Sequence, residues 1–196
     1  MSKTVLGITG GIGSGKSYVC RLLAEHYHIP IYYCDIEAAI IMRSDDEVME
    51  QLSNLVPGLY DEDCELDKQR LASYMFSNEE HLHNVNAIVH PAVRQNLREW
   101  VALRRKPLLA VESAILYESH FDTEVDKVLF VDAPLDVRIL RTGLRDGLSE
   151  EEVRRRARHQ QTEQARSRAD YIVNNDGQHD LLPDLDRIVQ MHINQP

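Results

Sequence analysis

Short apolar runs alternate along the chain with longer stretches in which apolar residues recur at helical spacing. Five runs predict β-strands: Thr4 to Thr9, Ile29 to Cys34, Leu108 to Val111, Val128 to Val131 and Tyr171 to Val173. Because these runs are apolar throughout rather than alternating, they are typical of strands covered on both faces. The pattern therefore predicts an α/β fold with a mainly parallel five-stranded sheet flanked by helices.

Residues 36 to 106 form the longest stretch without a convincing strand. Their pattern predicts several short helices. Ser77 and Glu80 have the spacing of a capping box, and Pro91 stands where a helix can begin. We therefore expect a helical insertion in the α/β core.

A second helical block covers residues 134 to 168. The Asp-Gly pair at 146–147 interrupts it, and Ser149 with Glu152 predicts a capping box that begins a new helix. A further helix near 181–191 closes the chain.

Composition and charge narrow the classes of protein that fit this pattern. The 196 residues suffice for one domain with a substantial core, and no apolar run approaches the about 18–20 residues needed to cross a bilayer. The N-terminus leaves no room for a secretory signal, and three cysteines without a paired framework predict reduced thiols. A net charge of −10 argues against a general nucleic-acid binder. We expect a cytoplasmic protein without membrane or nucleic-acid partners, either a monomer or a weak homo-oligomer.

Arginine is unevenly distributed along this acidic chain. Nine of the 17 arginines fall between Arg138 and Arg168. Such a cluster can be directed at a local anionic ligand. A solvated helix face, with acidic partners such as Glu150 four positions away, explains the pattern equally well. Both interpretations stay open for each arginine.

The segment after the first strand has the pattern of a phosphate-binding loop. Gly10-Gly11-Ile12-Gly13-Ser14-Gly15-Lys16-Ser17 satisfies G-x-x-x-x-G-K-[ST] at every fixed position. The glycines let backbone N–H groups turn inward, and the following helix adds the positive end of its dipole. In this pattern Lys16 reaches the β- and γ-phosphates and the Ser17 hydroxyl binds Mg²⁺. The strand and helix on either side disfavour an accidental turn, and G-x-G-x-x-G does not fit because Lys16 occupies the last glycine position.

Acidic residues close two further predicted strands. Ligands gather at the carboxyl ends of strands in open α/β sheets, so Asp35 is expected near the loop, where a carboxylate can orient an attacking hydroxyl. Asp35 is also suited to cap a helix from Ile36 onward, and the two roles are compatible. Glu112 resembles the acid that ends a Walker B strand, which is a weaker pattern, and Glu118 follows a few residues later.

The nine histidines show no metal-ligand spacing with a nearby cysteine or acidic cluster. Taken locally, His90 and Pro91 are compatible with a turn and the start of a helix.

Taken together, these motifs resemble the dephospho-CoA kinase family. The resemblance rests on five segments. Gly7 to Ser17 match the family's opening, residues 34–37 match its D-x-D motif with Glu37 as the second acid, and residues 88–91 match its His-Pro motif. The family's lid is matched by Arg141, Arg145 and the R-x-x-x-Q of Arg156 to Gln160, and its closing pattern by residues 169–177. It runs from about residue 5 to 190.

This resemblance implies a P-loop NTPase fold and a reaction. Phosphate passes from ATP, with Mg²⁺, to the ribose 3′-hydroxyl of dephospho-CoA in the last step of coenzyme A biosynthesis. Residues 1–35, 107–133 and 169–196 would form the nucleotide-binding core. Residues 36–106 would form the acceptor domain, and the arginine-rich residues 134–168 a mobile lid.

The resemblance also implies roles for individual residues. The expected catalytic residues are Asp35, Lys16 and Arg141. The expected nucleotide-binding residues are Gly11, Ile12, Gly13, Ser14, Gly15, Lys16, Ser17, Arg141 and Asn175. The expected acceptor-binding residues are Thr9, Asp35, His90, Glu112 and Glu118, and Ser17 is the expected metal ligand.

The chain departs from the family's sequence pattern at two places, and these departures leave open which residues contact the acceptor. Residues 114–118 stand where the family commonly has P-L-L-x-E, so the proline is lost and the acid is kept. Ile41 replaces a common arginine, although Arg43 is close.

Three other functions are compatible with a phosphate-binding loop. Another small-molecule P-loop kinase is disfavoured by the His-Pro and closing Asn-Gly patterns. A guanine-nucleotide switch is disfavoured because no N-K-x-D motif occurs. A binding module that has lost catalysis is disfavoured because Lys16, Ser17 and Asp35 are all present.

Overall fold

Five parallel strands form the sheet in this computed structural model, which describes residues 3–159 and 162–193. The strands are β1 (Thr4–Thr9), β2 (Ile31–Tyr33), β3 (Leu108–Glu112), β4 (Lys127–Asp132) and β5 (Tyr171–Asn174), in the order β2-β3-β1-β4-β5. All neighbouring pairs are parallel. The carboxyl ends of all five strands therefore lie at one edge of the sheet. The predicted parallel five-stranded sheet is confirmed.

Helices fill the chain between the strands. They are α1 (Lys16–Tyr27), α2 (Cys34–Ser44), α3 (Asp46–Leu55), α4 (Lys68–Met75), α5 (Glu79–Ala102), α6 (Leu135–Asp146), α7 (Glu150–His159), α8 (Thr162–Arg168) and α9 (Leu182–Ile193). The chain divides into two compact units, one containing Met1–Tyr33 and Arg104–Pro196, the other Cys34–Leu103. None of the described helices combines the length and apolar character that a bilayer-crossing helix requires.

Both faces of the sheet are buried, as the apolar runs predict. One face packs against α1 and α9, in a core that includes Leu6, Ile8, Val19, Leu23, Leu129, Val131, Leu185 and Val189. On the opposite face, a Cβ added at Gly7 would lie 3.0 Å from the Leu116 side chain. All five positions of β3 are buried. The sheet therefore provides a rigid base for the loops at its carboxyl edge.

The second unit is built around α5, whose buried side chains recur every four residues at Val85, Val89, Val93 and Leu97. This helix has 24 residues, so the prediction of only short helices here was wrong. Pro91 lies inside α5 rather than at its start. Proline removes one helical hydrogen bond, but the buried valines on either side keep the helix packed on its neighbours.

The start of α5 differs from the predicted capping box. Asn78 is the N-cap, and its side-chain oxygen accepts a hydrogen bond from the His81 N–H at 2.8 Å. The Ser77 hydroxyl instead donates to the Tyr74 carbonyl at 2.7 Å, at the end of α4. Asparagine caps helices as well as serine does, so the sequence alone could not decide between these neighbours.

The end of β2 also differs from its prediction. The strand stops at Tyr33 and α2 begins at Cys34, so Asp35 does not end the strand. It lies in the first turn of α2 together with Glu37, where the helix dipole favours negative charge. Asp35 therefore belongs to the second unit, and its side chain is exposed.

Candidate active site

The loop from Gly10 to Ser17 connects β1 to α1 at the carboxyl edge of the sheet. Gly13 has φ +76° and Gly15 has φ +94°, a region that favours glycine. Side chains are excluded by the surroundings as well. A Cβ at Gly13 would overlap the Arg138 carbonyl, and one at Gly15 would overlap the Asn175 side-chain amide. These two glycines are therefore required by both the backbone and its neighbours.

Lys16 and Ser17 begin α1 beside a small cleft. The Lys16 Nζ atom donates a hydrogen bond to the Gly10 carbonyl at 3.0 Å, so its chain folds back along the loop. Residues from the loop and from α6 line a cleft of about 120 Å³: Gly13, Gly15, Lys16, Ser17, Arg141, Thr142 and Arg145. A cleft of this size suits phosphate groups rather than a whole nucleotide.

Helix α6 and the residue after β5 hold this loop by hydrogen bonds to its carbonyl groups. The Arg138 Nε atom donates to the Ile12 carbonyl at 2.9 Å. The Asn175 side-chain amide donates to the Ser14 carbonyl at 2.8 Å. One Arg141 nitrogen donates to the Asn175 carbonyl at 2.8 Å. These bonds fix the backbone of the loop from outside by its Ile12 and Ser14 carbonyl groups.

Arg145, the next arginine of α6, forms a different contact. Its guanidinium makes two hydrogen bonds of 2.7 Å to the carboxylate of Asp146. These bonds hold the pKa of Asp146 below its usual value and raise that of Arg145. Arg145 therefore lines the cleft while its charge is paired at the helix end.

Glu112 lies at the carboxyl end of β3, the strand between β2 and β1, opposite Ile8 of β1 and Tyr33 of β2. Its side chain is buried. Burial, with a smaller contribution from the Glu112 charge, raises the pKa of the Cys20 thiol, whereas the Lys16 charge acts in the opposite direction. Glu112 and Lys16 are thus both within electrostatic range of Cys20 on α1.

Two other predicted acceptor-binding residues lie near the loop. Thr9 ends β1 and is buried, and Glu118 is exposed. Both line a small cavity that Gly10 and Gly11 also line. The structure therefore brings Thr9 and Glu118 to the first half of the loop.

Asp35 and His90 belong to the second unit, in α2 and α5. His90 is half-buried. The acceptor-binding roles of both residues stay predictions.

The metal prediction rests on Ser17. Within residues 3–159 and 162–193, no group of three or more histidine, cysteine or acidic side chains is placed to hold a metal ion. Magnesium usually keeps few protein ligands beside waters and substrate phosphates. The exposed Ser17 hydroxyl at the start of α1 is an oxygen donor that suits this chemistry.

Two residues at the loop were not assigned from the sequence: Arg138 and Thr142. The Thr142 hydroxyl is buried and donates to the Arg138 carbonyl at 2.8 Å. Their spacing relative to Arg141 and Arg145 places all four near one face of a helix, a signal that was available in the sequence. In the predicted R-x-x-x-Q motif, Arg156 is exposed on α7 and Gln160 lies outside the described residues.

Comparison with known proteins identifies the family. A family model described as dephospho-CoA kinase matches residues 4–180. The chain belongs to the dephospho-CoA kinase family. The dephospho-CoA kinase of Porphyromonas gingivalis is 40% identical over 94% of this chain and 92% of its own length. That of Bacteroides fragilis is 38% identical over 92% and 88%. A crystal structure from Thermus thermophilus has a TM-score of 0.82, with 36% identity over 97% of this chain and 96% of its own.

Family membership confirms the predicted P-loop kinase fold, the enzyme class and the use of ATP with Mg²⁺. The dephospho-CoA kinase reaction transfers phosphate from ATP to the ribose 3′-hydroxyl of dephospho-CoA and completes coenzyme A biosynthesis, as predicted from the motifs. The roles of individual residues in this reaction stay predictions.

Proposed function

We propose that this chain phosphorylates dephospho-CoA with the loop, Lys16 and Arg141 acting on ATP and Asp35 acting on the acceptor. The donor half of the proposed site is the part that binds ATP. It is supported by one observation, the cleft that Lys16, Ser17 and Arg141 line together with glycines of the loop. Three groups suited to phosphate and Mg²⁺ therefore line one small space beside backbone N–H groups.

The donor half works by charge stabilisation. Negative charge spreads over the oxygens of the transferred phosphoryl group during the reaction. Lys16 and Arg141 place positive charge beside it, and the loop N–H groups add oriented dipoles. Ser17 would hold Mg²⁺ together with the phosphates, and the ion would neutralise further negative charge.

The acceptor half depends on a carboxylate. Asp35 accepts the hydrogen bond of the ribose 3′-hydroxyl and takes its proton as the new oxygen–phosphorus bond forms. The bond between the γ-phosphorus and the bridging oxygen breaks, and ADP leaves. We assign acceptor binding to Thr9, His90, Glu112 and Glu118.

Closure of residues 134–168 is the third part of the proposal. A lid over the phosphates excludes water, which otherwise competes with the ribose hydroxyl for the phosphoryl group. The supporting observation is that α6 within this segment already contacts the loop through Arg138 and Arg141.

An acceptor panel tests the reaction. ADP formation is followed with ATP, Mg²⁺ and either dephospho-CoA, a nucleoside monophosphate, a hydroxylated metabolite or no acceptor. We expect rapid turnover with dephospho-CoA alone. Absence of dephospho-CoA-dependent ADP formation would refute the proposed function, and faster turnover with a nucleoside monophosphate would favour a different kinase.

Variants test the two halves separately. Lys16→Ala and Asp35→Asn should each lower kcat about 100-fold or more, because each removes a group that acts on the reacting atoms. Asp46→Asn is a matched control for Asp35, since Asp46 is an exposed aspartate in the first turn of α3 in the same unit. Near-normal turnover of Asp35→Asn would exclude the role given to that carboxylate.

We further propose that the protein acts in the cytoplasm as a monomer or weak homo-oligomer, without nucleic-acid partners. Its net charge of −10 and its three cysteines support this. Light scattering across a range of protein concentrations tests the oligomeric state. A stable oligomer at micromolar concentration would contradict it.

A further inference from the structure

Arg138 carries a buried positive charge at the phosphate-binding loop that the mechanism above leaves unused. Its side chain is 8% exposed, and its Nε atom donates to the Ile12 carbonyl at 2.9 Å. Its Nη2 atom is also buried, and no residue in the described part of the chain accepts a hydrogen bond from it. A charged donor group in this state is costly for the ligand-free protein.

The charge also lacks a direct carboxylate partner. Among residues 3–159 and 162–193, no carboxylate forms an ion pair with Arg138. The charge of Asp132 acts on this guanidinium, but the Asp132 carboxylate is bonded to Arg166 at 2.9 Å. Burial lowers the pKa of the Arg138 guanidinium, yet arginine stays protonated in proteins. Arg138 is therefore a buried cation whose positive charge is only partly balanced, by the more distant charge of Asp132.

The Arg138 guanidinium lies against the backbone of the phosphate-binding loop. A Cβ added at Gly11 would overlap the Arg138 guanidinium, so this group lies directly against the loop backbone. The Ile12 carbonyl that it engages shares a peptide group with the Gly13 N–H. A charged donor on that carbonyl polarises the peptide and makes the N–H a stronger donor to an anion.

We propose that Arg138 is a positioning residue whose buried charge is neutralised when the loop binds the phosphates of a nucleoside di- or triphosphate. The same charge then weakens the ligand-free fold and strengthens nucleotide binding. Arg138 acts through the loop backbone rather than on the reacting atoms. This inference rests on the proposed function only in taking a nucleotide as the ligand of the loop.

Two variants separate charge from packing. Arg138→Met keeps a long side chain and removes the charge, whereas Arg138→Lys keeps the charge and loses the planar guanidinium. For each variant, urea unfolding without ligand gives the midpoint, and calorimetric titration gives the affinity for Mg-ADP and for tripolyphosphate. Arg187→Met is the control, because Arg187 is an exposed arginine of α9.

We expect Arg138→Met to bind Mg-ADP about tenfold more weakly while its ligand-free unfolding midpoint stays equal to or above that of the wild type. Tripolyphosphate should show a similar loss, and Arg138→Lys should recover part of the affinity. Arg187→Met should change neither quantity.

Unchanged Mg-ADP affinity in Arg138→Met would overturn the proposal. A loss of affinity together with a lowered midpoint, neither restored by Arg138→Lys, would also overturn it, since Arg138 would then only support the fold. These measurements use binding and unfolding and require no turnover. A wild-type protein that binds Mg-ADP but shows no dephospho-CoA-dependent turnover would refute the proposed function and leave this inference standing.

Discussion

Helices α6 and α7 are both rich in arginine, but their arginines form different contacts. On α6, Arg138 and Arg141 donate hydrogen bonds to backbone carbonyls at Ile12 and Asn175. On α7, Arg154 pairs with Glu150 of its own helix at 2.8 Å. The first pattern attaches a helix to the phosphate-binding loop. The second pattern is typical of a solvent-exposed helix face. Amino-acid composition alone does not distinguish the two patterns.

Burial separates the two helices further. Arg138 and Thr142 of α6 are buried, whereas the arginines 154–156 of α7 are exposed. Among residues 150–157 of α7, Val153 is buried, and its apolar packing does not depend on direction as a hydrogen bond does. We therefore expect any closure of residues 134–168 to involve larger movement of α7 than of α6.

The largest difference between the helices should appear in catalysis. Arg141→Met removes a positive charge from the phosphate cleft and should lower kcat about 100-fold. Arg154→Met, the matched change on α7, should leave kcat within about twofold, because exposed ion pairs contribute little. Steady-state ADP formation measures both. Equal effects of the two substitutions would remove the functional distinction between α6 and α7.

Asn175→Ala tests how firmly the loop and α6 are held together. The buried Asn175 amide donates to the Ser14 carbonyl at 2.8 Å, and its side-chain oxygen faces Arg141 at 3.4 Å. Losing these contacts should lower the free energy of unfolding by about 2 kcal/mol. Urea denaturation measures the change, with Asn174→Ala at the exposed neighbouring position as the control. A stability equal to wild type would show that α6 is held by other contacts.

The contrast between these helices also shows what the sequence could predict. The loop from Gly10 to Ser17 was predictable because its glycines, lysine and hydroxyl have fixed spacing and lie between a strand and a helix. The spacing of the α6 arginines was visible, but spacing does not show which helix face meets the loop. That depends on packing against the sheet, which is a long-range property.

The prediction of helix boundaries from the sequence is limited by a different cause. The apolar run continues to Cys34 and predicts Asp35 at a strand end, whereas the backbone is already helical there. The local sequence predicts a helix start at Pro91, although tertiary packing of α5 continues the helix through it. In both cases a local preference was overridden by contacts that a single sequence does not display.

The start of α7 provides a smaller test, because the hydrogen bonds of Glu152 and Arg154 stay within α7 and its cap. The Ser149 hydroxyl accepts from the Glu152 N–H at 3.3 Å, and the Ser149 N–H donates to the Glu152 carboxylate at 3.0 Å, which confirms the predicted capping box. Ser149→Ala should destabilise α7 locally by about 1 kcal/mol. Hydrogen exchange of α7 amides measures this, with Ser167→Ala of α8 as the control. Faster exchange in α6 than in α7 would reverse the expected order of stability.

The weakest effect should be the pH dependence of α7. Hydrogen bonds from the Ser149 N–H and hydroxyl hold the pKa of Glu152 below its ordinary 4.5. A depressed pKa means that the stabilisation is fully present above about 4.5 and is lost as the pH falls through the lower, folded value. Amide protection in α7 should therefore stay level from pH 7 to pH 5 and decline as the pH falls below 4.5. The carbonyl acceptors of Arg138 and Arg141 do not titrate in this range, so loop amides should change less.

Glu152→Gln should abolish the α7 decline, and a decline that persists in this variant would show that another carboxylate controls it.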